Sequence, residues 1–237
     1  IIPNKEFRGK SNAGPYGDFV YQTDDAVGKV LKALKDINAD ENTIVIFTSD
    51  NGSERYSYER TKNYNHNSSI PFRGVKRDIY EGGHHVPFIV KWPNNIKGGS
   101  TNHQLFSQID ILKTLTSITK SELPKGFLHD SYNFSDVWLT DTYKPVREVL
   151  VHNTWETKYA IRKDDWLYIN NKDGYHSRIP KWFEEGKRFE TAKDSVQLFN
   201  LKQDIGQSTN LASIYPNKVK ELSVALINQQ KEETFKN

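Results

Sequence analysis

The run Thr43-Ile44-Val45-Ile46-Phe47 passes directly into Thr48-Ser49-Asp50-Asn51-Gly52, so a short apolar segment without alternation opens into a turn that carries a carboxylate and an amide. A β-branched and aromatic run of this kind reads as a strand buried on both faces of a parallel sheet. Ligands of such sheets bind beyond the carboxyl ends of the strands, where Asp50 and Asn51 would stand. A second stretch, Gly74-Val75-Lys76-Arg77-Asp78-Ile79-Tyr80-Glu81-Gly82-Gly83, adds an ammonium. Carboxylate, amide and ammonium together can hold a divalent cation and an oxyanion. Asp-Asn-Gly is also a plain turn sequence, because Asn and Gly accept positive φ cheaply; here it follows one apolar run and is not flanked by two alternating ones.

Around this feature the periodicity changes along the chain. Phe19, Val20, Val27, Val30, Leu31 and Leu34 recur at helical spacing between Tyr16 and Lys35, so a helix feeds the first strand. Residues 53 to 80 are polar and aperiodic, which reads as a long loop roofing the site. Val86 to Val90 reads as a second buried strand and Ser107 to Ile118 as a second helix, with Ile109, Leu112, Leu115 and Ile118 on one face. After about Pro145, short segments broken by charged turns (Val149-Leu150-Val151, Tyr159-Ala160-Ile161, Trp166 to Ile169, Val196 to Phe199) read as an antiparallel sheet. A helix from Tyr215 to Lys231 closes it, with Val219, Leu222, Leu226 and possible further contacts from Val224 and Ile227 on the inner side. The expected division is 1–145, part of a large α/β domain, and 146–237, a small α+β subdomain.

Composition narrows the chemistry. The chain has 237 residues, a net charge of +3 and no Cys. That balance does not point to nucleic acid. Without Cys, a metal must be held by oxygen or imidazole, and oxygen favours calcium or magnesium. No apolar run approaches the roughly 20 residues that span a bilayer.

These segments, in this order, resemble the formylglycine-dependent sulfatases of the alkaline phosphatase superfamily. The resemblance runs from Gly14-Pro15-Tyr16-Gly17-Asp18 through Thr48 to Gly52, Arg73 to Lys76 and Tyr80 to Pro93, and on to Ala160 to Trp166, Gln197 to Leu201 and Asn210-Leu211-Ala212. It implies an alkaline-phosphatase-like α/β sheet flanked by helices, Asp50 and Asn51 as two oxygen ligands of calcium or magnesium, and Lys76 in contact with sulfate. It also implies a formylglycine nucleophile made from Cys or Ser, ahead of everything matched here. Ser69-Ile70-Pro71-Phe72-Arg73 has the spelling of the precursor motif but stands between the Asp50-Asn51 pair and Lys76, so it is not that motif. The chain is therefore expected to be a carboxyl-terminal part that is inactive and self-associating without its amino-terminal part.

Among the remaining polar residues, Glu81 is expected to pin its loop through backbone amides and Asp78 to be a surface charge. His84 and His85 are adjacent in a segment read as extended, so at most one faces the site; His84 is the choice for substrate contact, with His66 in the roofing loop as a second. His152 reads as a partly buried core residue. Trp155 and Trp182, in polar connections, could meet a carbohydrate. A sulfated oligosaccharide or polysaccharide is the expected substrate, and the resemblance implies a periplasmic or secreted location. A phosphoester or phosphonate hydrolase, and a non-catalytic carbohydrate-binding fragment, are the alternative readings.

Overall fold

The computed structural model describes residues 2–124, 130–140, 144–154, 157–184 and 194–234. Helix α1 (Gly14–Asp36) starts with Pro15, whose fixed φ suits a first turn. Asp18 accepts the Gly9 and Ser11 amides at 2.7 and 2.8 Å, which holds the preceding turn against the helix. The Asp25–Lys29 and Lys32–Asp36 pairs line its outer surface. Val20, Tyr21 and Val30 on the same helix are exposed.

Strand β1 (Val45–Thr48) does not enter a parallel pairing. It runs antiparallel to β2 (Phe88–Lys91), with Ile46 opposite Val90 and Phe47 opposite Ile89. Neither strand is buried on both faces, for Phe47 and Ile89 are exposed. An apolar run carries no information on the direction of its neighbour, and here it overstates how far the strand is covered. The roofing segment also departs from the expected loop: α2 (Ser57–Tyr64) lies within it, and Ser57, Tyr58 and Arg60 are buried. Its polar composition hides the helix, because Arg60 buries a guanidinium over the Tyr16 ring at 3.7 Å. The pair His84-His85, read as lying in an extended segment, is divided: His84 ends the single helical turn α3 (Glu81–His84) and His85 is extended. Helix α4 (Asp110–Thr119) and the short α5 (Ser135–Leu139) follow.

The last third is a meander of β3 (Val149–Asn153), β4 (Tyr159–Lys163), β5 (Trp166–Ile169) and β6 (Gln197–Asn200), all antiparallel. A short helical turn, α6 (Lys181–Glu184), interrupts the connection from β5 to β6. The sheet uses strand alternation on both faces. Ile161, Tyr168 and Leu198 pack under α7 (Pro216–Thr234), against Leu222 and Leu226. Val224 and Ile227 point away and are exposed, because the inward stripe is narrower than the apolar pattern suggests. The other face, with Ala160, Leu167, Ile169 and Phe199, packs on Ile79 and Tyr80 of the lysine loop. The small sheet is thus the platform on which that loop is laid. The division at 145/146 falls between α5 and β3, and a buried pair spans it: Arg147 binds Asp110 of α4 through two guanidinium nitrogens at 2.5 and 3.2 Å.

Candidate active site

Three loops meet backbone to backbone beyond β1. The Gly52 amide donates to the Gly83 carbonyl at 2.9 Å, and a Cβ on Gly52 would lie 1.8 Å from the Gly82 carbonyl oxygen. Gly82 in turn lies on the Gly74 carbonyl, where a Cβ would come within 2.2 Å. Only glycine allows these approaches. The Lys76 amide donates to the Ser53 carbonyl at 2.8 Å, so the lysine is stitched to the turn that carries Asp50 and Asn51.

Glu54, on that same turn, bridges two cations, with Lys76 Nζ at 3.2 Å and Arg77 Nη1 at 3.0 Å. Burial pushes its carboxyl up, and the hydrogen bonds from Lys76 and Arg77 outweigh this and hold it below the ordinary range. Asp50 is exposed, and no hydrogen bond among the described residues occupies its carboxylate. The Asn51 amide nitrogen donates to the Gly52 carbonyl at 2.9 Å, which leaves its side-chain oxygen as the atom available to a ligand. Two hard oxygens fit calcium or magnesium, and the six or more ligands of calcium would need further donors. No cluster of three or more metal-ligating His, Asp or Glu occurs among the described residues.

The rest of the lysine loop is held from far away in the chain. Asp78 is fully buried, not a surface charge; it accepts the amides of Val75, His176 and Ser177 at 2.8 to 2.9 Å. Burial pushes its carboxyl above the ordinary value even against those three donors. Arg73 donates to the Tyr175 hydroxyl and to the Gln207 carbonyl, both at 2.9 Å, with its guanidinium 4.0 Å from the Tyr80 ring centre. The side-chain oxygen of Gln207 accepts the Glu81 amide at 2.8 Å. Tyr80 donates its hydroxyl to Gln197 and accepts the Gly174 amide. Glu81 pins the loop, though through side chains and not backbone amides: its carboxylate meets His85 Nδ1 at 2.8 Å and Arg162 at 3.6 Å. Burial raises its pKa, and the His85 bond and Arg162 charge bring it below the ordinary value.

The histidines separate. His84 ends α3, and its ring lies 4.4 Å from that of His152 on β3. Burial, reinforced by the His152 charge, lowers the His84 pKa to about 3, so both rings are neutral near pH 7; burial lowers His152 as well. His152 Nε2 faces the Ile79 carbonyl at 3.1 Å. His85 stacks on Phe72 at 4.2 Å. His66 is exposed in the turn after α2, with no contact joining it to Lys76 among the described residues. Trp182 is exposed, and Trp155 lies outside the described residues.

The structure thus gathers Asp50, Asn51 and Lys76, sets His84 directly behind Gly83, and leaves His66 apart. Sequence reasoning missed Glu54, Arg73, Tyr175 and Gln207. Glu54 was accessible as an acid on the turn itself; the others act across more than 100 residues, and no local pattern marks them.

The glycine-packed turn that carries Asp50 and Asn51 thus lies beside the lysine loop on a mixed α/β scaffold, and the solved structures it superposes on are sulfatases of the alkaline-phosphatase-like fold. Residues 3–121 match the sulfatase family, and residues 74–234 match the C-terminal family of N-sulphoglucosamine sulphohydrolase. The chain belongs to the sulfatase family. An N-acetylgalactosamine-6-O-sulfatase of Bacteroides thetaiotaomicron is 34% identical over 230 residues, 95% of this chain and 43% of that protein. A solved chain from work on the metabolism of multiple glycosaminoglycans by Bacteroides thetaiotaomicron superposes with a TM-score of 0.79 at 32% identity, covering 97% of this chain and 47% of that one. The PsFucS1 sulfatase from Pseudoalteromonas sp. shares the fold, with a TM-score of 0.79 at 23% identity over 99% of this chain and 46% of that one. The chain therefore spans less than half the length of these relatives.

Proposed function

We propose that this chain forms the carboxyl-terminal part of a sulfuric ester hydrolase that removes sulfate from a sulfated carbohydrate. The observation that carries this reading is the stitching of Lys76 onto the Asp50–Asn51 turn through Ser53 and Gly83. Support for the substrate class comes from the N-acetylgalactosamine-6-O-sulfatase relative. When bound, calcium or magnesium would supply positive charge against the sulfate oxygens, and a formylglycine outside this chain the nucleophile. Asp50 and Asn51 would hold the metal through oxygen. Lys76 would neutralise charge developing on the sulfate, a task worth most where the group is already fixed in place. Glu54 keeps the lysine extended toward the turn until an anion competes for it. A periplasmic or secreted location goes with this reading.

The test is hydrolysis of 4-methylumbelliferyl sulfate and of sulfated N-acetylgalactosamine by the protein carrying the nucleophile, with and without chelator. Lys76→Ala is expected to lower kcat/KM by about 10²- to 10³-fold, and the chelator to abolish turnover. Full activity in either case overturns the assignment. The 237-residue chain alone is expected to be inactive, and sulfate release by the purified chain would contradict that.

A further inference from the structure

A cavity of about 280 Å³ adjoins the lysine loop, walled by Ser57 and Tyr58 of α2, by the segment from Asn67 to Val75, by Phe183 and by the turn that carries Asp204 and Ser208. It shares Gly74 and Val75 with the loop that carries Lys76, and its Ser69 hydroxyl is bonded at 2.6 Å to that of Ser53, next to Glu54. Cavity and lysine therefore share one segment of chain.

The lining has a definite chemistry. Tyr58 and Phe183 meet edge to face at 4.8 Å, and Phe72 adds a third ring. Against these stand Asn67, Ser69, Asp204 and Ser208. Asn67 spends its oxygen on the Ser69 amide, and no described residue accepts from its amide nitrogen. Asp204 is tied down by Ser208 and Thr209. Among the described lining residues there is no Lys, Arg or His. Aromatic walls suit the C–H face of a pyranose, and an amide, hydroxyls and a carboxylate suit its ring of hydroxyls. The one charged lining residue is Asp204, and the two guanidinium groups just outside the lining are spent, Arg60 on Ser68 and Arg73 on Tyr175 and Gln207, so a sulfate or uronate carboxylate is disfavoured here. The volume lies just below the roughly 300–1,000 Å³ of clefts for drug-sized ligands, which fits one sugar ring and not a longer oligosaccharide.

We infer that this cavity is a subsite for one uncharged hexose or N-acetylhexosamine unit of the glycan, flanking the sulfated unit held at Lys76. The inference rests on the reading of the chain as part of a carbohydrate sulfatase. It assigns Asn67 and Ser208 to substrate length and composition, outside the sulfate chemistry.

The test titrates N-acetylgalactosamine, galactose and glucuronate separately onto the ¹⁵N-labelled protein carrying the nucleophile. The neutral sugars are expected to give saturable shifts at the amides of Asn67, Gly74, Val75, Gly206 and Ser208, and glucuronate none. Asn67→Ala and Ser208→Ala, each with an otherwise unchanged spectrum, should weaken the neutral sugars by about fivefold, the loss of one hydrogen bond. Absence of saturable shifts, equal shifts with glucuronate, or shifts confined to the Asp50 and Lys76 turns would overturn the subsite. Hydrolysis of an aryl sulfate without a sugar is scored separately in the protein carrying the nucleophile. Hydrolysis without sugar shifts sinks the subsite alone, whereas sugar shifts without hydrolysis of any sulfate ester sink the sulfatase reading alone.

Discussion

Glu54 and His84 are the residues whose individual behaviour differs most from what their types suggest. Glu54 holds Lys76 and Arg77 at once, so removing its charge frees the ammonium and loosens it together. Glu54→Gln is expected to tighten inorganic sulfate binding at low salt and to lower kcat, read as opposite changes in the inhibition constant and the turnover of the protein carrying the nucleophile. His84 sets a pH dependence of stability. Its folded pKa is near 3 against 6.5 unfolded, so only the unfolded chain takes up that proton as pH falls from 6.5 toward 3. Stability is thus complete above about 6.5 and declines below it. His152 adds in the same direction, with Glu81 and Arg162 the other charged groups that face the pair. Urea midpoints should fall between pH 7 and 5, and His84→Gln should flatten that slope; an unchanged slope would show that the ring is solvated. The meeting of the Asp50–Asn51 turn with the lysine loop was legible through the family resemblance and the glycines on either side of Lys76, which are local signals. The burial of Asp78 was not, since its donors are the amides of residues 176 and 177.

Among the elements, the last four strands and α7 could be read directly, because each strand is a short apolar segment bounded by charged turns, and covering on both faces keeps those segments apolar throughout. Helix α2 escaped because its buried side is made of Ser57, Tyr58 and Arg60 instead of aliphatic residues. The direction of β1 against β2 escaped because pairing is a property of two segments 40 residues apart. Two contacts between elements make testable claims. Arg147 and Asp110 form a buried pair joining α4 to the entry of β3. Asp110→Ala strands the guanidinium and should cost about 3–5 kcal/mol, seen as a lower urea midpoint with unchanged m-value; a loss within about 0.5 kcal/mol would mean that the arginine finds water. Tyr175→Phe removes the acceptor of Arg73 Nε while keeping the ring. It should lower kcat of the protein carrying the nucleophile with little change in KM, because the lysine loop loses its brace while its charge stays.

For the molecule as a whole, the distribution of apolar surface matters more than its amount. Val20 and Val30 on α1, Phe47 and Ile89 on the two-stranded sheet, and Ile109 and Leu112 near α4 are all exposed, and they belong to the part of the chain before β3. Faces of this kind in soluble proteins mark contact surfaces. The isolated chain is expected to self-associate at micromolar concentration, with sedimentation velocity showing species above one copy; a monomer throughout would mean these residues are tolerated in water. The brace between the lysine loop and Gln207 has a consequence in time. Glu81 and its partner Gln207 are 126 residues apart. On a ribosome working at roughly 5–20 residues per second, about 6–25 s pass between the emergence of the loop and the arrival of the residue that fixes it. Throughout that interval the nascent chain carries Lys76 on a loop without its Gln207 brace, so the loop settles only after residue 207 has been made.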